Sequence, residues 1–477
     1  MNSFENLEPK RVFHYFKEMC GIPRGSGNMK GIADYCVEFA RNHPLEYHRD
    51  DADNVIIYKG ATAGYEQSEP IILQGHLDIV CQKTEESAID FLKDGIEPFI
   101  DGDFIKANGT TLGADNGIAA AMILSVLESD AIPHPAIEAV FTTDEEIGMI
   151  GASKLDMSLL SAKKMINLDS EEEDLLTVSC AGGSDFLVTL PVKRETICGT
   201  EVTIRLKGLK GGHSGVEIDK HRVNANTLAG RLLNHIRASC NFDIISVDGG
   251  DKANAITNLC VIKLVTETAE KLCSEAKDYL AVIKEEISSN EEGFYAEIAA
   301  GETGKHETFS ADIITHILCT TPDGIMTMSA EIEGLVETSL NLGILKTEND
   351  AVTLQYALRS NKQSGLDFLE EKMKAYFEFI PCNIETFGHY PPWEFNSNST
   401  LQELYKDAYK EIKGKEITTQ ALHAGLECGV FAAKITGFDC IAVGPDIFDV
   451  HTVNEKLSIK SVESFYKILI KVLEKSI

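Results

Sequence analysis

Apolar positions along the first 180 residues switch between helical and strand-like spacing. Residues 8–20 and 29–42 repeat apolar side chains at helical intervals. Short apolar runs follow at 54–58 and 70–74, and a segment rich in Ala, Met and Leu, Ile118 to Leu127, predicts a helix starting near Asn116. The runs 136–141 and 164–168 predict buried strands. Strands alternating with helices predict a doubly wound, mostly parallel sheet. The pattern changes after about Gly183. Residues 185–190, 201–206, 259–266, 336–345 and 351–359 read as alternating strands, with helical spacing at 223–236, 269–287 and 365–378. Such strands with two or three helices predict a smaller, open-faced antiparallel α+β domain. From Phe395 the first texture returns, with a helix at 400–413, a strand at 440–443 and an amphipathic helix at 459–475. The expected organisation is an α/β domain split into 1–186 and 395–477, with an α+β domain inserted at 187–394.

Composition adds a few exclusions. The 477 residues are 43% hydrophobic and 25% charged, enough apolar material for two or three domains and too much for a disordered chain. Acidic residues outnumber basic ones by 75 to 44, a formal charge of −31. Nucleic acid and anionic membranes repel such a surface, so neither is expected as a partner. The start, Met1 to Glu8, has no basic residues leading into an apolar run, so no secretory signal is expected. No apolar run approaches the roughly 20 residues that span a bilayer. The closest two of the 12 cysteines, Cys428 and Cys440, are 12 apart, so there is no Cys-x-x-Cys pair. Scattered cysteines fit small buried hydrophobes in a reducing compartment, and a cytoplasmic location is expected.

Five segments end or follow predicted strands with hard metal-liganding groups. They are Gln74-Gly75-His76-Leu77-Asp78, Gly113-Ala114-Asp115-Asn116-Gly117, Asp144-Glu145-Glu146-Ile147-Gly148, Asn167-Leu168-Asp169-Ser170 and Asp449-Val450-His451-Thr452. In open parallel sheets the ligand crevice lies outside the carboxyl ends of the strands. Taken singly, each has a structural alternative: Asp115 as a helix N-cap, His76 as a core histidine, Glu145-Glu146 as solvated charge. Their recurrence at strand ends is what points to a metal. Imidazole plus carboxylate suits zinc, with cobalt or manganese as alternatives.

These segments resemble the co-catalytic two-metal peptidases that include carboxypeptidase G, tripeptide aminopeptidases and acyl-amino-acid deacylases. The similarity is greatest to the aminoacyl-histidine dipeptidases (Xaa-His, carnosinase-type). It extends to Ile22-Pro23-Arg24-Gly25-Ser26, to Lys210-Gly211-Gly212-His213-Ser214-Gly215 and to His423-Ala424-Gly425-Leu426-Glu427. The resemblance implies that His76 and Asp169 bind one divalent ion, that Glu146 and His451 bind a second, and that Asp115 bridges them with a water held between. It implies that Glu145 is the general base and then the acid for the leaving amine, and that Asp78 orients His76. It implies that the inserted domain serves as a lid and dimerisation domain. His213 there would stabilise the tetrahedral oxyanion, often in the partner subunit, and Asn254 and Arg359 would hold substrate. Glu427 would meet the substrate amino group.

Other readings remain for several of these residues. Asp78 can be a turn cap, Asn254 a loop residue, Arg359 a strand-face ion pair and Glu427 structural. The turn at His213 matches neither a phosphate-binding Gly-x-x-x-x-Gly-Lys loop nor a Gly-x-Ser-x-Gly nucleophile turn. The expected protein is a cytoplasmic, homodimeric dipeptidase with two zinc ions that cleaves Xaa-His dipeptides such as β-alanyl-histidine. A tripeptide aminopeptidase or acyl-amino-acid hydrolase keeps the chemistry with another substrate. A non-catalytic metal- or peptide-binding protein would not need Glu145.

Overall fold

A computed structural model of the chain describes residues 3–477. The chain divides into two compact units. One contains the residues up to Cys180 with Phe395–Ala421 and Leu426–Ile477; the other contains Ala181–Glu394 and Leu422–Gly425. The second unit starts ahead of residue 187 because the strand Gly182–Pro191 pairs along its whole length with Ala351–Ser360.

The first unit is built on an eight-stranded sheet. Its order is Glu46–Arg49, Val55–Lys59, Ile137–Thr142, Ile71–His76, Lys164–Asn167, Asp439–Ala442, Leu175–Cys180 and Thr418–Leu422. The four strands from Ile137–Thr142 to Asp439–Ala442 are parallel, while the two pairings before them and the one after are antiparallel. Ile71–His76 and Ile137–Thr142 are buried throughout, as parallel strands covered on both faces must be. Their ends are level: His76 stands beside Thr142, and Gln74 beside Asn167 of the next strand. The helix Ala114–Glu128 is apolar on every side and buried from Asn116 to Leu127, which is the pattern of a helix inside a domain. The last helix, Ile459–Lys475, is capped by Ser458 Oγ, which accepts from the Ser461 N–H; it buries Phe465, Ile468, Leu469 and Val472. A second, four-stranded sheet orders Ile447–Phe448, Lys456–Ser458, Phe104–Ala107 and Pro98–Asp101. Its strands are too short for periodicity to mark them.

The second unit is α+β, with a nine-stranded sheet whose pairings are all antiparallel. Inward residues of its strands, among them Phe186, Val188, Ile204, Ile262 and Leu354, form one core with four helices. Those helices are Ala225–Ile236, Ala269–Ile287, Ala311–Thr320 and Gln363–Phe377, so there is one more than the pattern predicts. The strand before the extra helix, Tyr295–Ser310, also lies outside the expected set. Ten of its sixteen residues are exposed, with no alternation over residues 299–303; its register with Glu195–Lys207 holds it as a strand. Among the described residues no helix is long and apolar enough to cross a membrane.

Candidate active site

The liganding segments meet at one end of the parallel strands. His76 is the last residue of its strand, Glu145 and Glu146 follow Ile137–Thr142, and Asp169 follows Lys164–Asn167. Asp115 lies in the first turn of the helix Ala114–Glu128, and its own φ/ψ are non-helical. His451 comes from the loop between the strands Ile447–Phe448 and Lys456–Ser458. Asp115 is at the centre. Its Oδ1 is 3.1 Å from His76 Nε2 and its Oδ2 is 3.1 Å from His451 Nε2. His76 Nε2 is also 3.4 Å from Asp169 Oδ1, and His451 Nε2 is 3.0 Å from Glu146 Oε1. One donor atom each of His76, Asp115 and Glu146 lie within 4.8 Å of one another.

The protonation pattern tests whether a metal fits. His76 Nδ1 is 3.1 Å from the main-chain oxygen of Asp78. A carbonyl oxygen only accepts, so Nδ1 bears the proton and Nε2 turns its lone pair toward two carboxylates. Lone pairs facing one another need a cation between them, either a second proton or a metal ion. With protons alone, burial depresses the His76 pKa, but Asp169, Asp115 and Asp78 outweigh it and hold the ring well above its usual value. Hydrogen bonds to Asp115 and Glu146 push His451 up to about 11. Burial lifts Glu145 well above the carboxylate range and takes Glu171 and Glu427 each to about 7. Crowding so many carboxylates around two imidazoles is costly without added positive charge. The donor set therefore fits hard divalent cations.

Neighbouring groups hold these side chains in place. Asp78 is fully buried. Its carboxylate accepts the N–H groups of Glu145 and Glu146 at 3.0 and 3.2 Å, and the Ser26 hydroxyl at 2.8 Å. With its oxygens so engaged, the carboxylate stands 3.5 Å from His76 Nδ1, and the nearer acceptor for the ring is the Asp78 main chain. Asn116 donates its amide to the Leu168 carbonyl at 2.8 Å, joining the Asp115 and Asp169 segments. His451 and Asp144 adopt φ of +60° and +52°, a left-handed conformation that costs a non-glycine residue about 1 kcal/mol or more. Behind the strand ends, Glu427 Oε2 accepts from Gln74 and from the Thr142 hydroxyl, while its Oε1 is buried without a partner.

His213, Asn254 and Arg359 belong to the second unit. His213 Nδ1 accepts the N–H groups of Gly215 and Val216, both at 3.1 Å. The ring proton is therefore on Nε2. Burial and the nearby Arg359 lower the His213 pKa to about 4, so the ring is a neutral donor at physiological pH. Asn254 and Arg359 line one cavity of about 250 Å³ with Ser184, Asp185 and Tyr390. Arg359 donates to the Tyr390 hydroxyl at 2.7 Å, and its Nε is buried with no partner.

Two residues at the site were given no role from the sequence. Arg24 is buried and donates to the carbonyls of Leu77 and Gly113 at 2.8 and 2.6 Å. Glu455 is buried and accepts main-chain N–H groups of residues 112–115. Both partners are main chain, so no residue pattern announces them. The available signal was that Arg24 stands in Ile22-Pro23-Arg24-Gly25-Ser26, one of the segments that carry the resemblance.

Residues 72–475 match the family model "Peptidase family M20/M25/M40". The chain is 35% identical over 480 residues to the cytosol non-specific dipeptidase of Escherichia coli, covering 99% of each. It superposes on the crystal structure of the aminoacylhistidine dipeptidase of Vibrio alginolyticus with a TM-score of 0.91 and 36% identity, over 99% of this chain and 98% of that one. The fold is shared more distantly with aminopeptidase PepT of Bacillus cereus, at a TM-score of 0.57 and 18% identity over 98% and 99%. With a family match over most of its length and a cation-demanding donor cluster at its strand ends, the chain belongs to peptidase family M20/M25/M40 and is a metallopeptidase.

Proposed function

We propose that this chain is a two-metal dipeptidase acting on Xaa-His dipeptides of the β-alanyl-histidine type. One observation carries the reading: the Asp115 carboxylate gives one oxygen to the His76 side and the other to the His451 side. That arrangement suits a ligand shared by two ions, with His76 and Asp169 completing one set and Glu146 and His451 the other. When bound, the two divalent ions, zinc in our reading with cobalt or manganese as alternatives, polarise the peptide carbonyl and supply a nucleophile at neutral pH.

The remaining chemistry falls to the chain. Glu145, half-buried beside Glu146, takes a proton from the attacking water and returns it to the leaving amine. Asp78 fixes Glu145 through its main-chain N–H and holds the His76 segment at the same time. His213 supplies a neutral Nε2–H to the oxyanion. Arg359 and Asn254 hold the dipeptide carboxylate, for which the unpartnered Arg359 Nε is a free donor. Glu427, with an unpartnered oxygen, takes the amino group. The second unit serves as lid and as the face of a homodimer, and the enzyme works in the cytoplasm, like the cytosol dipeptidase of Escherichia coli to which it is similar.

That relative is described as non-specific, which favours a broad dipeptidase as the second reading. The test is metal analysis with hydrolysis assays on β-alanyl-histidine, other Xaa-His and Xaa-Xaa dipeptides, tripeptides and acyl-amino acids. Cleavage restricted to Xaa-His pairs supports the first reading, and even rates across dipeptides the second. A metal-loaded protein that cleaves no dipeptide refutes both. Glu145→Gln should retain both ions and lose about 10²–10⁴-fold in kcat, since an amide shuttles no proton.

A further inference from the structure

Asp115 is held by main-chain contacts that converge on its segment from two buried charges. Glu455 is 3% exposed and Arg24 2%. Glu455 Oε2 accepts from the N–H groups of Leu112 and Gly113 at 2.8 and 3.1 Å, and Oε1 from those of Ala114 and Asp115 at 2.8 and 3.4 Å. N–H groups at the start of a helix have no acceptor in the helix itself, and here a side-chain carboxylate supplies one. Glu455 lies four residues beyond His451 on the same loop. It therefore ties the His451 loop to the Asp115 segment.

Arg24 makes the complementary tie. Nη1 donates to the carbonyl of Leu77, between His76 and Asp78, and Nη2 to the carbonyl of Gly113. The guanidinium is a rigid fork, so the two carbonyls are held at a set separation. The glycines make room for it: a Cβ on Gly117 would lie 2.3 Å from Arg24 Nη2, and one on Gly113 3.0 Å from it.

We propose that Glu455 and Arg24 are positioning residues that set the spacing of the two imidazoles about Asp115 and so the affinity of the metal pair. This rests on the two-metal reading above. Neither side chain touches substrate or ion; each acts through the main chain of the ligand-bearing segments. In Glu455→Gln, an amide N–H₂ replaces one of the two acceptor oxygens and faces main-chain donors instead. The segment must shift to relieve that clash.

The experiment uses the full-length protein, with cobalt(II) as the probe ion. Competition with a chelator gives affinity, the visible cobalt spectrum gives ligand geometry, and thermal unfolding with and without metal gives stability. For Glu455→Gln we expect about a 10–100-fold loss of cobalt affinity and an altered spectrum. The metal-dependent rise in Tm should shrink, because that rise follows occupancy. Arg24→Lys, which keeps the charge but loses the fork, should lose affinity in the same direction, and it decides the matter should Glu455→Gln fail to fold. Unchanged affinity and an unchanged spectrum in a folded variant overturn the proposal. So does a fall in Tm that is equal with and without metal. Wild-type protein that binds no cobalt would instead refute the two-metal reading itself.

Discussion

The buried histidine of the second unit, His423, should make that unit acid-labile by a predictable amount. His423 is 5% exposed. Nδ1 donates to Asn361 Oδ1 at 2.9 Å, and Nε2 accepts from the Ser339 hydroxyl at 2.8 Å, so the neutral ring is satisfied on both sides. Burial first, then the charges of Arg359 and His213, lower its pKa to about 3. An unfolded histidine titrates near 6.5. As pH falls below that value the unfolded chain takes up a proton that the folded unit refuses until about 3, so unfolding is favoured. Each pH unit within that window is worth about 1.4 kcal/mol, so moving from pH 7 to 4.5 removes about 3 kcal/mol through this one ring. The assay is urea unfolding at both pH values, followed by Trp393 emission. Trp393 is the sole tryptophan, is buried, and lies in the same unit. His423→Gln removes the titrating group and leaves the carboxylates and His213 in place. It should be less stable than wild type at pH 7, yet lose about 3 kcal/mol less on acidification. Equal losses in the two proteins would refute the assignment of the acid sensitivity to His423.

Metal analysis of three purified variants tests the shared ligand. Asp115→Ala should retain less metal than either His76→Ala or His451→Ala, each of which removes a ligand from one ion only; two full equivalents in Asp115→Ala would exclude bridging. Mixing His213→Ala with Glu145→Gln subunits tests action across a dimer. Random reassociation makes half the dimers mixed, each with one intact site, so about a quarter of wild-type activity should return. Activity that stays at the parental level, with mixed dimers shown to form, would place His213 within its own subunit or outside the reaction.

Local pattern carries much of this architecture. An all-apolar segment such as Ile118 to Leu127 has no face to present to water, and runs such as 70–74 and 136–141 suit only buried strands, so the parallel sheet and the helix against it are legible in the sequence. The same pattern singles out His76, Glu146 and Asp169, because in such a sheet the polar residues just beyond the strands share one end; Asp115 is marked instead by the start of the apolar helix. Periodicity reports which side of an element is buried, and it fades where both sides are wet or the element is short. That is why the strand Tyr295–Ser310 and the small sheet carrying His451 emerge only in three dimensions. Main-chain contacts are less legible still. The carbonyls bound by Arg24, the N–H groups bound by Glu455 and the Asp78 oxygen facing His76 belong to backbone that every residue possesses. Sequence nominated candidate ligands; only the tertiary structure decides that Asp115 turns one oxygen to each imidazole, because that depends on where the backbone of the His76, Asp115 and His451 segments is pinned.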